Sequence, residues 1–179
     1  MDEIKKETQA QKRTVTLDGR EMTLVGNEPK VGDKACDFKV ISNDMTPMRF
    51  YRTYRGKIVL ISSVLSLDTP VCDLETRKFN EEAQKLSSDV EIITISMDLP
   101  FTQKRWCQAN KMERVKTYSD YTKTDFGKSY GVLIRELRLL ARCLFLIDRE
   151  GVIRYIQLLK EISKEPNYEE AINEIKKLV

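Results

Sequence analysis

The sequence predicts an α/β fold in which a central mixed sheet is flanked by helices and preceded by an N-terminal β-hairpin extension. Three observations carry that expectation. Residues 57–62 form a short, β-branched, apolar run with almost no polar alternation, as expected of a strand covered on both faces. From there the chain reads strand, helix, strand, helix, the order of parallel strands joined by crossovers. Residues 142–147 and 152–158 then flank Asp148-Arg149-Glu150-Gly151 as a hairpin, and an amphipathic helix closes the chain.

Each element follows from local signals. The first dozen residues are polar and charged without a pattern, so residues 1–12 are expected to be a loose extension ahead of a single domain over 13–179. Residues 14–17 and 20–25 flank Asp18-Gly19, a two-residue hairpin signal. Residues 36–41 read as an extended piece, and 48–56 as a short strand and a turn. Thr69 is a good N-cap, and Pro70 sits where a first helical residue tolerates a missing N–H. The helix expected over 70–87 places Phe79, Ala83 and Leu86 on one buried stripe. An isoleucine-rich strand is expected over 90–96, then a helix over 103–109, capped by Thr102 and carrying Trp106 and Cys107. A short strand over 115–118 and a helical turn over 125–130 come next. Asn167 caps the last helix, whose apolar face holds Ala171, Ile172, Ile175, Leu178 and Val179. Together these elements suggest a thioredoxin-like fold, with no internal repeat, low-complexity tract or second domain.

Composition excludes several chemistries. A chain of 179 residues can bury one good core, and a net charge of +3 is far from the balance of a nucleic-acid binder. There is no long apolar run to enter a membrane, and residues 1–7 are too charged for a signal peptide. A cytoplasmic location is therefore expected, where a disulfide is more often catalytic than structural. Histidine is absent. That removes Ser-His-Asp and Cys-His hydrolases, His-based zinc catalysis and His-ligated haem. The four cysteines, Cys36, Cys72, Cys107 and Cys143, form no Cys-x-x-Cys pair, so neither a metal nor another cofactor is expected.

Cys72 stands apart because it falls third in a helix. First-turn N–H groups have no partners inside the helix and act as partial positive charge, which favours a thiolate. Moving a cysteine from about 8.5 to about 6 takes roughly 3.4 kcal/mol, and a helix end supplies only about 0.3 to 2. A further donor or cation must reach the sulfur, with the Thr69 hydroxyl and a distant arginine as candidates. Asp73 and Glu75 oppose a thiolate if they lie near it, so both are expected to point away.

The stretch Leu67-Asp68-Thr69-Pro70-Val71-Cys72-Asp73-Leu74-Glu75-Thr76-Arg77-Lys78-Phe79-Asn80 closely resembles the peroxidatic segment of the bacterial thiol peroxidases, which are atypical two-cysteine peroxiredoxins. The likeness continues from Thr23-Leu24-Val25-Gly26 through Ser96-Met97-Asp98-Leu99-Pro100-Phe101 and 126–134 to Glu165-Pro166-Asn167-Tyr168. The family's motif reads Pro-x-x-x-Thr-x-x-Cys, and Leu65 occupies the proline position. The resemblance implies that Cys72 is the peroxidatic cysteine and Cys107 the resolving one, joined in an intrachain redox disulfide. It further implies that Thr69 and Arg142, the latter in Leu140-Ala141-Arg142, support the reacting sulfur. A peroxide substrate, thioredoxin as reductant and a homodimer come with it.

Each residue also has a plainer structural reading. Cys107 would be a helix cysteine packed beside Trp106, Cys36 a small buried residue, and Cys143 a core residue alternating with Phe145 and Ile147. Arg142 would be solvated at its tip, and Arg77, Arg105 and Arg135 are weaker candidates for the cation. If Cys107 lies mid-helix and Cys72 at another helix start, a disulfide spanning about 7 Å or less between Cα atoms requires 66–74 or 102–110 to unwind. Two other readings remain open: a peroxide-sensing regulatory thiol protein, and a catalytically inert thioredoxin-fold binding module.

Overall fold

The computed structural model describes residues 12–179. The extension expected over residues 1–12 lies outside the described residues apart from Lys12. A seven-stranded mixed sheet has the order β11-β10-β5-β6-β7-β3-β4, formed by β3 (Lys39–Ile41), β4 (Pro47–Arg49), β5 (Ile58–Ser63), β6 (Val90–Ser96), β7 (Lys116–Ser119), β10 (Cys143–Ile147) and β11 (Ile153–Leu158). β5, β6 and β7 are parallel, joined by α2 (Pro70–Gln84) and α3 (Pro100–Ala109); β10 and β11 run antiparallel beside β5.

Period-two alternation on the central strands divides the interior. Ile58 and Leu60 of β5, with Leu144 and Leu146 of β10, meet Phe79 and Ala83 of α2 and Ala171, Ile172 and Ile175 of α5 (Tyr168–Lys176). Val59, Ile61, Cys143, Phe145 and Ile147 face the opposite way, into a larger core with Phe38, Phe126 and Tyr130. The expected hairpin is present as β1 (Arg13–Leu17) and β2 (Arg20–Val25), turning at Asp18 and Gly19, both with positive φ. It belongs to a second, four-stranded sheet completed by β8 (Leu133–Ile134) and β9 (Leu139–Leu140), two strands too short to leave a sequence pattern.

Several boundaries differ from expectation. α2 ends at Gln84, so Leu86 packs from just beyond the helix. α3 starts at Pro100 with Leu99 at the cap, leaving Thr102 inside; the fixed φ of Pro100 suits a first helical position better than Thr102 suits a cap. The turn expected before residue 57 is instead α1 (Phe50–Tyr54), which buries Phe50 and Tyr54. Strand β3 occupies only the end of 36–41, and α4 (Asp125–Ser129) is the expected helical turn. Asn167 caps α5 by accepting from the Glu170 N–H at 3.0 Å, but Val179 is exposed instead of joining the apolar face.

Candidate active site

The buried residues of α2 are Cys72, Glu75, Thr76, Phe79, Asn80 and Ala83, a stripe repeating every three to four residues that begins at the cysteine. Cys72 is thus aimed inward from the first turn, where unpaired N–H groups gather. Its sulfur has no exposed surface and packs with Val64, Leu67 and Trp106.

Arg142 reaches this sulfur. Lying just ahead of β10 rather than on it, Arg142 is only 2% exposed, so its guanidinium is not solvated at the tip. Its Nη2 donates to Cys72 Sγ at 3.2 Å, its Nε to the Ile162 carbonyl at 2.9 Å, and its Nη1 to Glu75 Oε2. Three separate nitrogens of one rigid plane thus each meet a different acceptor, a spread that the single ammonium nitrogen of lysine does not offer. Ser63 Oγ fixes the approach of this segment by donating to the Ala141 carbonyl at 2.7 Å.

Glu75 does not point away. It is fully buried, three residues after Cys72 on the same helix face, and it also accepts from Ser62 Oγ at 2.8 Å. Burial raises the Glu75 carboxyl above the usual carboxylate range, although Arg142 and Ser62 pull it down. Burial likewise disfavours the Arg142 cation, but Glu75 and Cys72 outweigh it, so Arg142 holds its proton more firmly than usual. A buried guanidinium needs such a counter-charge. Read only as a first-turn acid, Glu75 was missed; its i+3 spacing from Cys72 was the available signal. Asp73 does turn outward, to Arg77 and Trp106.

Thr69 takes the N-cap position without capping: its hydroxyl donates to the Ser66 carbonyl at 2.9 Å instead of reaching the sulfur. The loop before it is held by Asp98, which accepts from Ser66 Oγ at 2.6 Å, the Leu67 N–H at 2.8 Å and Ser96 Oγ at 2.8 Å. Leu65, half-buried, packs against apolar neighbours on both sides of this loop. Asp98, absent from the expected site, thus fastens the segment in which leucine replaces the family's proline.

Cys107 lies near the end of α3 at the margin of the Cys72 cluster, its sulfur 3.2 Å from Thr117 Oγ1. A cleft of about 370 Å³ reaches Cys107 and Thr117 from outside. All four cysteines are free thiols. Cys143 is buried as expected, its thiol pushed far up by desolvation, and Cys36 is half-buried. Arg77 pairs with Asp73 and Arg135 with Glu136, so neither is turned to the sulfur.

The chain is similar to known proteins over most of its length. Residues 31–156 match the AhpC/TSA family. A thiol peroxidase of Halalkalibacterium halodurans is 50% identical over 163 residues, covering 91% of this chain and 97% of that one. A thiol peroxidase of Bacillus subtilis is 48% identical over 165 residues, covering 92% and 98%. The crystal structure of a peroxiredoxin-like protein from Aquifex aeolicus superposes with a TM-score of 0.86 at 42% identity, covering 93% of this chain and 98% of that one. With 48–50% of the aligned residues identical to thiol peroxidases across nearly their full length, this chain belongs to the AhpC/TSA family, in its thiol peroxidase branch.

Proposed function

We propose that this protein is a thiol-dependent peroxidase that reduces hydrogen peroxide and organic hydroperoxides at Cys72. The observation that carries the reading is the Arg142 guanidinium 3.2 Å from a cysteine sulfur at a helix start. Oriented N–H dipoles and a permanent cation both favour thiolate, the nucleophilic form. The Cys72 thiolate attacks one peroxide oxygen, the O–O bond breaks, and hydroxide or alkoxide leaves, to take a proton from solvent, as Cys72 becomes a sulfenic acid. Arg142 offsets charge moving onto the leaving oxygen, and Thr69, donating to Ser66, keeps lone pairs free to accept the peroxide O–H.

Cys107 is the resolving residue in this scheme. Its thiol displaces water from the sulfenic acid to give an intrachain disulfide, which thioredoxin reduces by exchange. With Cys72 in the first turn of α2 and Cys107 held against Thr117, one or both of 66–74 and 102–110 unwind to bring the sulfurs together. The catalytic unit is residues 13–179, acting as a homodimer in the cytoplasm, where thioredoxin keeps thiols reduced.

Peroxide consumption driven by thioredoxin and its reductase tests this scheme. Cys72→Ser is expected to abolish turnover, and Cys107→Ser to lose thioredoxin-supported turnover while still forming sulfenic acid once. Undiminished turnover by Cys72→Ser would overturn it.

A further inference from the structure

The two cysteine-bearing helices are tied together one residue away from each sulfur. Trp106, beside Cys107, donates its indole Nε1–H to Asp73 Oδ1, beside Cys72, at 2.9 Å. The other Asp73 oxygen is occupied by Arg77, with Nη2 at 2.8 Å and Nε at 3.1 Å, so the acceptor is held in place. The indole itself is 8% exposed and packs with Val64, Leu67 and Cys72. It therefore closes the reduced site while anchoring the end of α3.

We propose that the Asp73–Trp106 hydrogen bond is a latch that sets how long the Cys72 sulfenic acid survives before Cys107 resolves it. This rests on the peroxidase reading above. Resolution on this reading requires 66–74, 102–110 or both to leave their places, and because the bond joins one segment to the other, either motion breaks it. Until then the sulfenic acid is open to a second peroxide, whose O–O bond breaks as one oxygen adds to sulfur, giving sulfinic acid plus water or alcohol. The latch thus decides between the disulfide, which returns to the cycle, and sulfinic acid, which does not. Asp73 and Trp106 are positioning residues: they act on the partition through the motion of these segments.

A hydrogen bond to a charged acceptor is strong enough to hold the open form down by roughly 10- to 100-fold. Removing it raises the resolution rate by a factor in that range, and the peroxide concentration giving half-maximal sulfinic acid rises with it. Full-length protein, reduced and mixed with increasing hydrogen peroxide, is quenched and Cys72 assayed by mass spectrometry as sulfenic acid, disulfide or sulfinic acid. Asp73→Ala and Trp106→Phe are expected to need at least about tenfold more peroxide for half-maximal sulfinic acid. Asp73→Asn removes the same charge as Asp73→Ala but keeps an acceptor, so it falls between Asp73→Ala and wild type; the difference between the two reads the hydrogen bond alone. Trp106 is the only tryptophan, and its emission in wild type is expected to change with disulfide formation rather than with sulfenic acid formation. Equal peroxide dependence in Asp73→Ala and Asp73→Asn, with sulfenic acid forming in both, overturns the latch and leaves the peroxidase reading intact. No oxidation of Cys72 in any variant overturns that reading and the latch with it.

Discussion

Replacing Arg142 with methionine removes the cation from Cys72 while keeping much of the side-chain volume. At 3.2 Å, a guanidinium and a thiolate attract by about 5 kcal/mol at an effective dielectric constant of about 20 and by about 1 kcal/mol in water. Sulfenic acid formation at pH 7 is therefore expected to slow by at least about tenfold, and by up to a few thousandfold if the whole attraction is lost. The single substitution has a second effect, because it strands Glu75 as a buried acid and costs about 3 to 5 kcal/mol of stability. Arg142→Met combined with Glu75→Gln removes both charges, so it is expected to regain most of that stability while remaining slow. Stopped-flow mixing with hydrogen peroxide and urea unfolding measure the two effects separately. A folded double variant that reacts at the wild-type rate would refute the assignment of Arg142.

Other expectations follow from the same geometry. Leu65→Pro is expected to change peroxide turnover by less than about tenfold, because Asp98 already fastens the loop. Asp98→Ala, which loses three hydrogen bonds at a part-buried site, is expected to cost about 1 to 3 kcal/mol and to depress turnover more than Leu65→Pro does; steady-state assays of both variants decide the order. Burial raises the Asp120 carboxyl to about 6, against the N–H groups of Phe126 and Gly127. An acid raised in the folded state binds its proton more tightly there than in the unfolded chain. Its contribution to stability therefore falls as pH rises from about 4 to about 6, by on the order of 3 kcal/mol. Urea unfolding across that range is expected to show a slope that Asp120→Asn lacks, and an unchanged slope would place the titration elsewhere.

The alternating strands and the helix stripes were legible in the sequence because burial on one face writes a period into the residues. Residues 57–62 and Phe79 with Ala83 announced the central layer, and Asp18-Gly19 announced the hairpin. β8 and β9 were not legible, since two-residue strands carry no period; they are defined by pairing with β2 and with each other. In the site, Cys72 was readable from its place after Thr69 and Pro70, and Arg142 from the family likeness. Glu75 was misread because helix-dipole reasoning treats a first-turn acid as a surface charge, whereas its partner arrives from 67 residues away. Asp98 and the Asp73–Trp106 contact are likewise long-range, and sequence spacing does not encode such pairings.

The most direct test of the account is peptide mapping of the reduced full-length chain after one equivalent of hydrogen peroxide. The expected product is a single disulfide joining Cys72 to Cys107, with Cys36 and Cys143 still thiols. Unmodified Cys72, or a bridge from it to Cys36 or Cys143, would contradict the account.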